Sequence, residues 1–235
     1  PLFGAIPFVI GATNSSFTDA YFEAMSGLTT TGATILGGLE ALPEGLKLWR
    51  GILQWLGGIG IIVVAMVFLP ELRVGGMQIF RSESFETMGK ILPRAGQIAS
   101  SISVIYVGLT VACGLTYSAL GMAPFDALVH AMTTLSTGGM ANTDNSFSIY
   151  GAGIHYVGAI FMCLAALPFV RYVQMLNGAT MPLLRDSQIR TFLVIIMVCV
   201  LLITAWVWGR DGEVTEIAFR ESLFNVVSII SGTGY

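Results

Sequence analysis

The sequence has 235 residues, of which 54% are hydrophobic and 11% charged, where an ordinary soluble domain carries about 25% charge. The apolar residues gather in runs long enough to span a bilayer, which excludes a soluble globular protein, and a net charge of -3 with dispersed basic residues excludes a nucleic-acid surface. Cys113, Cys163 and Cys199 all lie inside those runs and read as small buried hydrophobes, with neither disulfide nor metal-ligand spacing.

In chain order, residues 1–16 hold an apolar stub too short to cross alone, the expected end of a spanning helix. The sequence opens at Pro1 without an initiator methionine, so the chain is expected to be part of a longer polypeptide. Residues 17–28 read as a short re-entrant helix and 29–36 as an irregular strand. Glu40 and Glu44 then form an acidic loop before a 22-residue crossing at 48–69, whose charge ends at Arg50. Gly57, Gly58 and Gly60 inside it permit close helix contact. The longest polar connection, 70–96, sets Arg73, Arg81, Lys90 and Arg94 against Glu71, Glu83 and Glu86, a pattern that allows a short surface helix. A span at 98–122, a second short helix at 124–134, a second strand at 135–143 and a returning span at 150–170 follow. A basic connection at 171–190 leads to a fourth span at 191–208. Asp211, Glu213 and Glu216 make an acidic loop, and the third short helix is expected at 221–230. The Asn14-Ser15-Ser16 triplet matches a glycosylation acceptor, a motif too frequent by chance to carry weight.

One pattern occurs three times. EAMSGLTTTGA (23–33), HAMTTLSTGGM (130–140) and NVVSIISGTGY (225–235) align without gaps, at offsets of 107 and 202 residues. Each runs from apolar residues into small hydroxyl residues and a glycine, Gly32, Gly139 or Gly234. Acidic or amide residues lie nearer the start, as Asp19 and Glu23, Asp126, and Glu221 and Asn225. This reads as a short helix with carboxylates at its positive end, running at its negative end into a non-helical strand. Such a strand exposes backbone carbonyls, which replace a cation's hydration shell without fixed charge. Glycine, having no Cβ, lets its carbonyl point inward at angles other residues reach only with strain. The candidate ion-contacting backbone is Thr29, Thr30, Thr31 and Gly32; Ser136, Thr137, Gly138 and Gly139; and Ser231, Gly232, Thr233 and Gly234. The low charge of these stretches argues against a carboxylate ring for divalent ions. Glu23, His130 and Asn225 hold equivalent positions and read as side-chain ties from each short helix to its neighbours. No nucleophile has a partnered base and no phosphate-binding loop is present, so no enzyme chemistry is expected.

Charge predicts sidedness. The connections 70–97 and 171–190 hold seven Lys/Arg and four Asp/Glu, and the rest of the chain holds four and ten. By the positive-inside rule the connections are cytoplasmic. The three repeats then enter from outside, through a surface whose sign concentrates cations. An inverted-repeat carrier would place successive copies on opposite sides.

These repeats, with KILPRAGQIA (90–99), HAMTTLSTGGMANTDNSF (130–147) and PLLRDSQIR (182–190), resemble the TrkH/KtrB superfamily of potassium-uptake proteins, in its bacterial TrkH branch, over essentially the whole chain. The resemblance implies an all-α integral membrane protein of repeated helix, re-entrant pore loop and helix units around a pseudo-fourfold cation pore. About three of the four units are represented. It divides the chain into a first repeat (1–70), a cytoplasmic connector (71–97), a second repeat (98–171), a second connector (172–190) and a third repeat (191–235) that stops after its filter. It also implies K+ as the transported ion, no cofactor bound by the chain itself, a multi-pass location in the bacterial inner membrane among lipid, a homodimer, and a cytoplasmic nucleotide-binding regulatory ring resembling TrkA. The family's fourth unit, its gating loop and its last-helix arginine have no counterpart in these 235 residues. One glycine shared by all three copies, where a potassium channel has TVGYG, implies a shorter filter that passes Rb+ and some Na+. The competing readings are a secondary cation or solute carrier with a midplane site, and a non-conducting membrane scaffold.

Overall fold

The computed structural model describes residues 1–11, 13, 15–68, 95–176, 178, 185–211 and 215–235. Among them the regular structure is entirely helical: α1 (Leu2–Ile10), α2 (Phe17–Leu28), α3 (Glu44–Phe68), α4 (Ala95–Ala119), α5 (Pro124–Leu135), α6 (Ala152–Ala166), α7 (Phe169–Leu176), α8 (Ser187–Asp211) and α9 (Glu216–Ser231). Short 3-10 turns at Leu39–Ala41 and Ser146–Ile149 follow the first two short helices.

Local chemistry sets the short helices. At the start of α2, Ser16 Oγ accepts from the Asp19 amide while Asp19 Oδ2 accepts from the Ser16 amide, each at 3.2 Å, a reciprocal cap that satisfies two otherwise orphaned donors. Pro124 opens α5, where its missing N–H costs nothing, and Asp126 sits at the positive end of the helix. The third short helix starts at Glu216, not at 221, because Thr215 Oγ1 caps the Ala218 amide at 3.2 Å. Glu216 is therefore in a first turn and not in a loop, as is Glu44, since α3 begins four residues before the expected crossing. Glu213 lies outside the described residues, as does the surface helix expected in 70–96.

The span expected at 150–170 is broken. Pro168 has no N–H to donate, and a proline disfavours helical angles at the residue before it. Leu167 is accordingly extended (ψ 149°), and α6 and α7 meet at a bend of 87°. Among the described residues two helices are long and apolar enough to cross a membrane, Ala99–Ala119 and Ser187–Arg210, and the bent α6–α7 pair makes a third if it is one span. Helix α3, with 25 residues, extends roughly 37 Å at about 1.5 Å per residue. Along α8 the buried side chains are Ile189, Ile196 and Val200, and most others face outward, as lipid contact requires.

Each returning helix packs on two successive short helices: α3 on α2 and α5, α6 on α5 and α9. A large core built around Tyr106, Tyr117, Phe147, Met162 and Phe224 joins the second and third copies, while Phe8, Ala20, Ala24 and Leu53 centre a smaller one in the first. Of the three glycines expected to bring helices close, two do so. A Cβ on Gly57 would strike the Leu28 carbonyl, and one on Gly58 would lie 2.8 Å from Ser136 Cα, whereas Gly60 faces open space.

Candidate functional site

Helices α2, α5 and α9 end in turns with one backbone signature. Thr30, Thr137 and Gly232 are left-handed, with φ of 53°, 51° and 80°, and so are Gly32, Gly139 and Gly234, with φ of 79°, 68° and 76°. The two sets sit at equivalent positions of the three copies. Left-handed threonine costs about 1–3 kcal/mol unless its surroundings enforce it, and the helix just before each turn does so. The carbonyls of Ser26, Thr133 and Ser228, again equivalent residues, accept from Thr31 N (2.9 Å), Gly138 N (3.0 Å) and Gly234 N (3.2 Å). The turn hydroxyls are engaged locally: Thr29 with Thr31 and Ser231 with Thr233, both at 2.8 Å, and Ser136 with the Thr133 carbonyl at 3.2 Å. With those five hydroxyls occupied, the polarity that could face an ion comes from the main chain and from the Thr30 and Thr137 hydroxyls.

The turns converge head to tail. A Cβ on Gly32 would collide with the Gly138 carbonyl, and one on Gly139 with the Thr233 carbonyl. Thus the residue before the glycine in one copy lays its oxygen against the glycine of the copy before. Gly234 has nothing within 4 Å. The structure joins the first copy to the second and the second to the third through these residues, while Gly232 faces open space. The second turn is the most enclosed, with Ser136 and Gly138 buried where Thr29 and Thr31 are exposed.

Side chains from outside the turns hold them. Gln54 on α3 donates from Nε2 to the Gly138 carbonyl at 2.7 Å and accepts at Oε1 from the Met140 amide at 3.1 Å. Buried Glu23 accepts from Arg50 Nε at 2.8 Å, from Thr34 Oγ1 at 2.9 Å and from Ile35 N at 3.2 Å, and Arg50 Nη1 donates to the Ala141 carbonyl at 2.9 Å. The tying role expected of Glu23, His130 and Asn225 therefore fits only the first. His130 contacts the Asp126 carbonyl of its own helix through Nδ1 and packs edge-on against Phe147 and Tyr150. Asn225 Nδ2 turns back to the Glu221 carbonyl of α9. The third copy is tied to the second by Tyr235, whose hydroxyl meets those of Thr133 and Thr134 at 2.7 and 2.8 Å.

A cleft of about 380 Å³ has Gly32, Gly139 and Gly234 in its lining, together with Arg50, Asp144 and Ser146. Asp144 latches the first two copies, accepting from Gly38 N at 2.8 Å and Leu39 N at 3.1 Å, while its own amide donates to Glu40 at 3.0 Å. The amides of Leu39 and Gly38 hold its carboxyl below the usual 3.8, with Arg50 adding to the effect. Among the described residues no group of three or more His, Cys, Asp or Glu could hold a metal ion.

The family model for the cation transport protein TrkH matches residues 3–209. The chain belongs to the TrkH family. This TrkH-family chain is 46% identical over 235 residues to the Trk system potassium uptake protein TrkI of Halomonas elongata, covering 99% of this chain and 48% of that protein. It is 37% identical over 238 residues to the Trk system potassium uptake protein TrkH of Escherichia coli K12, covering 99% and 49%. The crystal structure of the potassium transporter TrkH from Vibrio parahaemolyticus superposes with a TM-score of 0.84 at 33% identity, covering 97% of this chain and 47% of that one. The chain spans about half the length of the relatives it matches, and those relatives are transporters, not enzymes. Sequence reasoning passed over Gln54 and Asp144, and it named Thr30 and Thr137 without foreseeing their left-handed conformation. Two polar residues four apart in an apolar helix, Arg50 and Gln54, were the available signal, since polar groups inside a membrane span are functional candidates.

Proposed function

We propose that this chain is the larger part of a channel-like pore for potassium uptake in the bacterial inner membrane, selecting K+ by main-chain carbonyls at 29–32, 136–139 and 231–234. The observation that carries this reading is the shared pair of left-handed positions in three turns stacked glycine against carbonyl. Backbone of that kind is tolerated within a membrane only where it is buried in protein or lines a water-filled path, and the first turn, with Thr29 and Thr31 exposed, is not buried in protein. Short-helix C-termini run into each turn and favour a cation there. The Gly138 carbonyl is already engaged by Gln54, so its neighbours carry more of the ion contact in the second copy.

The repeats divide as 1–70, 98–171 and 191–235, joined by cytoplasmic connectors at 71–97 and 172–190. By the stacking rule a fourth turn, from elsewhere in the full-length protein, lays a carbonyl on Gly234. Two such proteins form a dimer, and the connectors meet a nucleotide-binding ring like TrkA. Rb+ passes as K+ does, with some Na+. A carrier with copies on opposite faces would not bring three turns to one place. The test is growth of potassium-uptake-deficient bacteria on low potassium, with Rb+ and Na+ flux in proteoliposomes, for the full-length protein and Gly139→Ser at matched expression. Unchanged rescue and flux ratio in Gly139→Ser refute the filter assignment. Movement of an organic solute and no monovalent cation replaces it with the carrier.

A further inference from the structure

We infer that Arg50 and Gln54 act as a splint on α3 that sets the register of the second turn, and through Glu23 the first, so that they are positioning residues for cation selection. The inference rests on the filter reading above. The two side chains are one helical turn apart, with exposures of 2% and 0%. The Gln54 amide brackets Gly139: it donates to the carbonyl of the residue before and accepts from the amide of the residue after. A neutral primary amide presents N–H donors and a carbonyl acceptor side by side in a single plane, and neither a hydrocarbon nor a carboxylate can do both. Arg50 extends the grip by one residue, to the Ala141 carbonyl, and its Nε fixes Glu23, which receives Thr34 and Ile35 just past the first turn. One face of α3 therefore holds backbone at 138, 140 and 141 in one copy directly, and through Glu23 the Thr34 hydroxyl and the Ile35 amide in another.

The second turn needs an external hold. The amides of 136–139 all bond back to carbonyls of α5, whereas the Gly138 carbonyl and the Met140 amide find their partners on α3. The device belongs to the first returning helix. Gly51 meets Val129 and Gly158 meets Phe224 at equivalent positions, which puts α3 and α6 in the same register. The α6 residues matching Arg50 and Gln54 are then Val157 and Phe161, which offer no side-chain donor or acceptor. Fit to a dehydrated ion depends on the placement and number of carbonyls, so a splint on one copy tunes selection without contacting the ion.

The experiment compares Rb+ and Na+ flux through full-length wild type, Gln54→Met, Arg50→Lys and Gly139→Ser in proteoliposomes, with thermal unfolding in detergent measured on each. Methionine keeps the volume of Gln54 without its hydrogen bonds. Lysine keeps the charge of Arg50 but has no planar fork with which to reach Glu23 and Ala141 together. Both variants are expected to fold and to lower the Rb+ to Na+ ratio about fivefold, the size one neutral hydrogen bond contributes. A wild-type ratio in both, with Gly139→Ser shifted, overturns the splint alone. A wild-type ratio in all three overturns the filter reading beneath it. Failure of both splint variants to fold also overturns the inference, since the pair is then a folding element and not a tuning one.

Discussion

Gly139→Ala separates the two demands placed on that glycine. Its φ of 68° costs an L-residue about 1–2 kcal/mol. The new Cβ also overlaps the Thr233 carbonyl and lies 2.9 Å from that residue's carbonyl carbon. An ordinary C···O contact is about 3.3–3.6 Å, so the second and third turns must part by roughly 1.5 Å. Gly121→Ala is the matched control. Its φ is 95° with nothing within 4 Å, so it incurs backbone strain and no collision. Gly121→Ala should lose about 1–2 kcal/mol of stability and Gly139→Ala about 1–3 kcal/mol more from overpacking, read as the shift in thermal unfolding of the full-length protein in detergent. Only Gly139→Ala should change ion selection, by about tenfold in the Rb+ to Na+ flux ratio, which corresponds to 1.4 kcal/mol between the two ions. Equal flux ratios in the two variants would refute the argument, because strain without displacement would then account for everything the glycine does.

The latch between the first two copies depends on pH. The Asp144 carboxyl is held below the usual 3.8, so its contribution is complete at neutral pH and is lost as pH falls through that lowered value. Hydrogen exchange at the Gly38 and Leu39 amides should quicken there, and Asp144→Ala should quicken it at pH 7 by about fivefold, one hydrogen bond's worth. Sidedness is tested with impermeant thiol reagents: Asn145→Cys should label from outside and Arg185→Cys only from the cytoplasmic face. Asn145 and Arg185 are both exposed, unlike Asn142 at 2%, so a silent label is informative. Gly58→Ala places a Cβ 2.8 Å from Ser136 Cα and should cost about 1–3 kcal/mol, as overpacking does, measured by thermal unfolding.

What the chain states locally was legible without coordinates. The first short helix is expected and found at 17–28, where Asp19 marks its positive end, and the second starts at Pro124 as expected and ends one residue later. The three glycines were legible for the same reason, since a left-handed turn after a short helix is a local demand. Pro168 was equally visible, and the break it makes was passed over because the hydropathy of 150–170 runs on through it. Thr215 was passed over likewise, as a cap placed ahead of the acidic residues. Thr30 and Thr137 are a different matter. Nothing in a threonine announces positive φ, and the conformation exists because Ser26 and Thr133 hold the amides that follow. The contacts that make one site of three turns join residues 84 to 106 positions apart, as Gln54 to Gly138 and Gly38 to Asp144. Periodicity and composition constrain neighbours along the chain and say nothing of such pairs. Only the packing of α3 against α5 decides that a glutamine in an apolar helix brackets Gly139, because that hydrogen bond depends on where two helices cross and not on what either one is made of.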